Sequence, residues 1–283
     1  MPLKTVTIVG VGLIGGSFAL ALRKAGFEGR IVGVSRPATI AEAMELGVID
    51  EGAPLEEALP ASDLIYLAQP ILRILEQLPE VARLARPGSL VTDAGSTKKA
   101  IVERAEELFA GSEARFLGGH PMAGKEGRGV AIAEAELLRG AVYAITPDAR
   151  HAGDERVDEL VGWLRRIGCK PLAMTPDEHD RVTAMTSHVP QMVSTALAAA
   201  VWESLENPTQ LQVAGGGLRD MTRLAGSSYE IWEGILKTNA AAISEGLRRV
   251  AAELERLGKD PEDPAVAERF AVAQTLHKKI RQS

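Results

Sequence analysis

The sequence predicts an α/β domain built on a parallel sheet, followed by an all-α helical domain. Three observations lead there. From Thr5 to about Thr175, short Val- and Ile-rich runs (TVTIVG, RIVGV, DLIYLAQ, SLVTDAG, AVYAITP, CKPLAM) alternate with helical patterns, as expected of buried parallel strands with helices on the faces of their sheet. After TPDEHD the strand runs stop, and stretches rich in Ala, Leu and Glu follow, broken at HVPQ, ENPTQ, AGGGL, AGSS and LGKDPEDP. A glycine-rich turn stands at the first strand-to-helix junction. The expected boundary falls between residues 1–175 and 176–283, and 283 residues at 46% hydrophobic content can supply both cores.

Charge and composition narrow the partners. The chain has 38 acidic and 32 basic residues, a net charge of −6, and no run of five or six like charges, which argues against nucleic acid. The single Cys169 cannot form an intrachain disulfide and reads as a small buried apolar residue. MPLKTVTIVG passes straight into a strand pattern without a signal peptide's regions, and the apolar run near ALAAAVW falls short of the roughly 20 residues that span a bilayer. A cytoplasmic protein with no membrane partner is expected.

The first strand runs into GVGLIGG, with Gly10, Gly12 and Gly15 in G-x-G-x-x-G spacing and Leu13 and Ile14 between them. Gly10 permits the turn, Gly12 lets backbone approach a pyrophosphate, and Gly15 lets the helix pack against the strand. The helix N-terminus offers unpaired N–H groups to the phosphates. In this position the motif makes the first part a Rossmann-type nucleotide-binding domain. The second strand ends at Ser35 and Arg36, where an acidic residue would bind the ribose hydroxyls of NAD. Serine and arginine instead accommodate a 2′-phosphate, so NADP is expected, with NAD the alternative if Arg36 is only a solvated side chain.

Later strands should deliver polar groups to the same crevice. DLIYLAQP ends at Gln69 and Pro70, and SLVTDAGSTKKA at Asp93, Gly95, Ser96, Thr97 and Lys98. Ligands of an open α/β sheet lie beyond the carboxyl ends of its strands. Ser96 or Thr97 could also cap the helix that begins at KKAIVERAEEL. GGHPMAGKEG is read as a loop in which neither helix nor strand settles; Pro121 biases His120 away from helical dihedrals, and the glycines allow close approach to a ligand.

The helical part carries its own candidates. Arg219 and Arg223 lie four apart, on one helical face, and paired guanidinium groups suit a ligand bearing carboxylates. The alternative is a surface pair bonded to Asp220 and Glu230. His188 precedes Pro190, which should kink its helix and free the carbonyl of Thr186. His188 lines the site or supports that kink. His151 and His277 are expected to be solvated, His179 has no assigned role, and the histidines lack metal-site spacing. The small apolar residues from Ser194 to Val201 suit a helix in a bundle or subunit interface, so a homodimer through the helical domain is expected.

GVGLIGGSFA, DAGSTK, GGHPMAG, EHDR, TSHVPQ, GLRDMTR and IWEGILKTN occur in this order along the chain, which therefore resembles the prephenate and arogenate dehydrogenase family of tyrosine biosynthesis from end to end. The resemblance implies a nucleotide-binding domain followed by a helical dimer-forming domain, and oxidative decarboxylation of a cyclohexadiene bearing a ring carboxylate and an opposite hydroxyl. It implies that His120, as neutral imidazole, accepts a hydrogen bond from that hydroxyl, so activity should fall in acid. Ser96 would orient His120. Arg223 would bind a substrate carboxylate with Arg219 nearby, and Glu126 would stand at the entrance, able to pair with an arginine. Trp232 would pack near the substrate, and Gln191 would meet its side chain, serving the keto acid of prephenate or the amino acid of arogenate, with prephenate favoured. With no length for a further domain after the helices, inhibition by tyrosine is expected to be competitive.

Two rival readings remain. LKTNAA offers Lys237 and Asn239 for the catalytic pair of a 3-hydroxy acid dehydrogenase. A module that senses NADP without turning it over is the other, against which the polar crevice residues argue.

Overall fold

The computed structural model describes residues 3–282. By compactness the chain divides into two units, Met1–Thr183 with Ser227–Ala240, and Ala184–Gly226 with Ala241–Ser283. Among the described residues no helix is long and apolar enough to cross a membrane.

The first unit is built on one eight-stranded sheet: β1 (Thr5–Val9), β2 (Arg30–Val34), β3 (Glu51–Gly52), β4 (Leu64–Leu67), β5 (Leu90–Asp93), β6 (Arg115–Pro121), β7 (Val142–Thr146) and β8 (Lys170–Ala173). Their order is β3-β2-β1-β4-β5-β6-β7-β8, so the first six strands follow the dinucleotide-binding order, with its reversal between β1 and β4. Thr5 to Val9 are all buried, as are Leu64 to Leu67, which is why these strands read as unbroken apolar runs.

Three departures from the expected sheet have physical causes. GGHPMAG is not a loop throughout, since Gly118 to Pro121 form the end of β6, paired with β7. That pairing is antiparallel. Residues 122–141 contain only turns, bends and irregular chain, whereas a parallel return needs a helical crossover. In CKPLAM only Lys170–Ala173 form a strand, the edge strand β8, and none of its residues is buried; Leu172 is 48% exposed.

The core beneath the glycine loop is aromatic. Phe18, on the helix Leu13–Lys24, stacks on Tyr66 of β4 with centroids 4.0 Å apart, and the Tyr143 hydroxyl donates to that of Tyr66 at 3.3 Å. Burial raises both phenol pKa values, so both remain neutral donors. The helix Glu155–Ile167 is closed by Asp154, whose carboxylate accepts from Arg156 N at 3.0 Å, and by Gly168 in the left-handed region at φ +95°.

Two helices that follow residue 176 in sequence belong to this first unit, Pro176–Thr183 and Tyr229–Thr238. Gly234 lets the latter approach the helix Ile71–Leu84 closely; a Cβ there would lie 3.2 Å from Ile71 Cβ.

The second unit holds the helices Val189–Ser204, Gly216–Thr222, Ala240–Lys259 from residue 241, and Ala265–Ile280. Pro190 lies, as expected, inside a helical run, which is unbroken from Ala184 to Ser204. It stands in the first turn of Val189–Ser204, directly after a π-helical segment, Ala184–His188, whose wider turn absorbs the missing N–H. Gly246 packs tightly here, since a Cβ would come within 2.6 Å of Val189 Cγ2. Large apolar side chains remain exposed on these helices, among them Trp202, Leu254, Phe270 and Leu276.

Candidate active site

The site grows from the β1 turn. Gly10 adopts φ +97°, and a Cβ on it would strike Gln69 Cγ at 2.7 Å; one on Gly15 would lie 2.3 Å from the Gly10 carbonyl oxygen. A Cβ on Gly12 would meet nothing within 4 Å. The loop is thus closed against protein at Gly10 and Gly15 and open toward the crevice at Gly12. Leu13 begins the helix, and Gly12, as its N-cap, makes no side-chain cap bond. The first N–H groups and their partial positive charge are offered outward, as a pyrophosphate requires.

Gly12, Leu13, Ile14, Gln69, Pro70 and Ser96 help line a crevice of about 580 Å³. The Gln69 Oε1 atom is buried without a hydrogen-bond partner among the described residues, an acceptor that a ligand donor would satisfy. This cradle fits a dinucleotide. Ser35 and Arg36 are exposed just beyond the end of β2.

Asp93 departs from its expected role facing the cofactor. Its side chain is wholly buried below the crevice. One carboxylate oxygen accepts Gly119 N at 3.0 Å, and the other accepts Gly95 N at 2.8 Å and the Lys98 ammonium. Lys98 Nζ also donates to the Gly119 carbonyl at 2.7 Å. Burial lowers the Lys98 pKa, opposed by Asp93. This buried pair ties the β5 turn to the strand that carries His120.

The helix Lys99–Leu108 is not capped by Ser96 or Thr97. Asp180, on the helix Pro176–Thr183, accepts Lys98 N at 2.7 Å and Lys99 N at 3.0 Å. Thr97 Oγ1 lies 2.7 Å from Thr238 Oγ1. Neither hydroxyl is required for the cap, and Ser96 lies at the crevice wall.

His120 lies near the end of β6, paired in register with Ala144 of β7. Its Nδ1 is 2.9 Å from Nε2 of His179, whose Nδ1 is 2.7 Å from Asp180 Oδ1. His179 is fully buried. Burial would raise the Asp180 pKa, but the bonds from His179 and the two main-chain N–H groups outweigh it and hold it below the usual carboxylate range. This chain is the principal feature that local sequence reasoning missed, because the partners are 59 residues apart. EHDR, one of the motifs behind the family resemblance, was its only signal.

The other expected residues are distributed as follows. Glu126 is exposed and makes no ion pair among the described residues; the arginine of its own loop, Arg128, pairs with Glu230 at 3.4 Å. Trp232 is half-buried in the first unit. In the second unit, Arg219 and Arg223 are exposed, and His188 and Gln191 are buried. The Gln191 amide donates to the Leu224 carbonyl at 2.9 Å, and Ser194 Oγ accepts Ala225 N at 3.1 Å, so both brace the turn after Arg223. His151 is buried, not solvated: its Nδ1 accepts Asp148 N at 3.0 Å in a capping box. Lys237 is exposed and paired with Glu233 at 2.7 Å, and Asn239 donates to the Asp180 carbonyl at 2.8 Å. Neither lines the dinucleotide crevice. Among the described residues no three His, Cys, Asp or Glu side chains are grouped to hold a metal.

Comparison with known proteins identifies the family. Residues 18–173 match the family model described as prephenate dehydrogenase, nucleotide-binding domain, and residues 175–265 that of the prephenate dehydrogenase dimerization domain. The prephenate dehydrogenase of Lactococcus lactis subsp. cremoris is 36% identical over 260 residues, covering 90% of this chain and 70% of its own length. Among solved structures, prephenate dehydrogenase from A. aeolicus, in complex with hydroxyphenyl propionate and NAD+, is 28% identical with a TM-score of 0.90 over 99% of both chains. Synechocystis arogenate dehydrogenase is 31% identical with a TM-score of 0.81 over 99% of both. With two family models spanning the α/β and helical parts, the chain belongs to the prephenate/arogenate dehydrogenase family.

Proposed function

We propose that the protein catalyses the NAD(P)-dependent oxidative decarboxylation of prephenate to 4-hydroxyphenylpyruvate, in the cytoplasm and as a homodimer. The observation that carries this reading is His120 near the carboxyl end of β6, beside the β5 turn that delivers Ser96 to the dinucleotide crevice. In the proposed division of labour, residues 1–175 hold the cofactor, and residues 176–283 hold the substrate and the second subunit. The exposed apolar side chains of the second unit, Trp202 and Phe270 among them, suit such an interface.

Gly10, Gly12, Leu13, Ile14 and Gly15 form the pyrophosphate cradle, and Gln69 and Pro70 flank it. Ser35 and Arg36 favour NADP, by binding a 2′-phosphate in place of ribose hydroxyls. Bound there, the nicotinamide supplies the oxidising power. Ser96 orients His120 and the substrate hydroxyl. His120 takes the hydroxyl proton as the ring carbon is oxidised, and returns it to the oxygen once carbon dioxide has left and the ring is aromatic. Arg223, with Arg219, recognises the substrate carboxylates. Glu126 stands at the entrance, and His188, Gln191 and Trp232 bound the substrate.

A second reading, arogenate converted to tyrosine by the same chemistry, is favoured by the likeness to the Synechocystis enzyme. Assay of the purified protein with each substrate and each cofactor, followed by absorbance of reduced nicotinamide, separates these readings. Prephenate turnover with a lower KM for NADP is expected. A clear preference for NAD overturns the cofactor assignment, and no turnover with either substrate overturns the function.

A further inference from the structure

We propose that His179 and Asp180 are positioning residues that fix the tautomer of His120, keeping its Nδ1 protonated and the lone pair of Nε2 for the substrate hydroxyl. This rests on the proposed reaction only for the identity of the hydroxyl. The argument starts at Asp180, whose carboxylate is an acceptor only. Oδ1 takes Lys98 N, Oδ2 takes Lys99 N, and Oδ1 also faces His179 Nδ1 at 2.7 Å. That nitrogen must therefore carry a proton. In a neutral imidazole the other nitrogen is then an acceptor. His179 Nε2 lies 2.9 Å from His120 Nδ1, so His120 Nδ1 is the donor and its lone pair falls on Nε2.

The surroundings hold this order rigidly. His179 is fully buried, and Thr183 Oγ1 donates to its carbonyl at 2.8 Å. Asn239 Nδ2 donates to the Asp180 carbonyl at 2.8 Å. The same carboxylate that orders the two rings also starts the helix following Ser96, so His120 and the Ser96 turn share one anchor. When His120 takes up a proton, the Nδ1–H bond to His179 strengthens, and the Asp180 charge one ring away favours the cation. The other ionisable groups packed around this strand include Asp93, Lys98, Tyr143 and His151. They are unchanged in variants of His179.

The test uses the full-length protein and the variants His179→Leu, His179→Gln and Asp180→Asn. Nitrogen-15 NMR of the histidine rings without ligand reads the tautomer directly, and steady-state kinetics across pH reads its consequence. We expect His120 to be Nδ1-protonated in the parent and mixed in His179→Leu, with kcat lowered about 100-fold, the scale of general-base assistance. The KM for the dinucleotide should stay within about twofold, and the acid limb of kcat/KM should move to lower pH as the imidazolium loses its support. His179→Gln, whose amide oxygen can accept from Nδ1, should recover to within about tenfold of the parent. Asp180→Asn can donate to His179 and reverse both rings, so it should move His120 toward the Nε2-protonated form. If His179→Leu fails to fold, His179→Gln and Asp180→Asn decide. An unchanged His120 tautomer with unchanged kcat and acid limb overturns the proposal. An inactive parent protein with the expected tautomer instead overturns the assigned reaction and leaves the His179 assignment standing.

Discussion

Lys98 and Asp93 form an ion pair in which neither side chain has any solvent exposure. The same two residues bracket the backbone of Gly119, Asp93 accepting its N–H and Lys98 donating to its carbonyl. Direct placement of His120 thus depends on a charge pair one residue away. Taking two charges out of water is costly, and the pair is tolerable because each partner has further hydrogen bonds.

Removing one member strands the other. Lys98→Met should destabilise the protein by about 3–5 kcal/mol, the range for breaking a buried pair from one side. Urea unfolding measures this. The double variant Asp93→Leu/Lys98→Met should lose less than the sum of the two single losses, because no buried charge is left alone. A loss below about 1 kcal/mol in Lys98→Met would contradict the pairing.

Asp180 links stability to pH. Its folded pKa lies below the ordinary carboxylate value, held there against burial by His179 and the N–H groups of Lys98 and Lys99. A depressed carboxylate contributes stability that is fully present above its unfolded pKa, about 3.9, and is lost as pH falls through the folded value. Between about pH 5 and pH 2 the parent protein should therefore lose stability more steeply than Asp180→Asn, which has no proton to take up. Equal slopes in acid unfolding would remove the depressed carboxylate from the account.

Cys169 should be silent in the native state. Its thiol is buried, donates to the Leu138 carbonyl at 3.4 Å, and is pushed up to about 11 by that burial. The thiolate is the reactive form, so a thiol reagent at neutral pH should label the protein at least 100-fold more slowly folded than in denaturant. Comparable rates would place Cys169 at the surface.

What the sequence reveals depends on how local the physics is. The glycine loop, the apolar runs of β1, β4 and β5, and the turn at Ser96 are local patterns, and each is legible. Less legible is whatever depends on partners distant in sequence. β6 contains two glycines and a proline, poor strand formers alone, and exists because β7 and the Lys98–Asp93 pair hold it. The cap of Lys99–Leu108 looks like a hydroxyl next to the helix, but Asp180 supplies it across 82 residues. His179 looks ordinary in DEHD because its meaning lies in His120. His151 looks solvated for the same reason: its Nε2 lies 2.9 Å from the Phe116 carbonyl, in a distant strand.

The glycine loop permits a test that separates folding from binding. At Gly15 a methyl group would stand 2.3 Å from the Gly10 oxygen and 2.8 Å from Ile8 Cγ2, so backbone must move and Gly15→Ala should cost about 1–3 kcal/mol. At Gly12 the backbone has φ −105°, open to any residue, and a Cβ would meet nothing within 4 Å. Gly12→Ala should therefore unfold within about 0.5 kcal/mol of the parent, as a substitution touching no neighbour does. Its methyl group, however, projects where a pyrophosphate must approach the helix N-terminus. Titration of NADPH fluorescence should accordingly give at least tenfold weaker binding to a normally folded Gly12→Ala protein, while Gly15→Ala loses thermal stability first. Unaltered NADPH affinity in Gly12→Ala would mean that the dinucleotide does not lie against this turn, and the cofactor assignment of Leu13, Ile14 and Gln69 would fall with it.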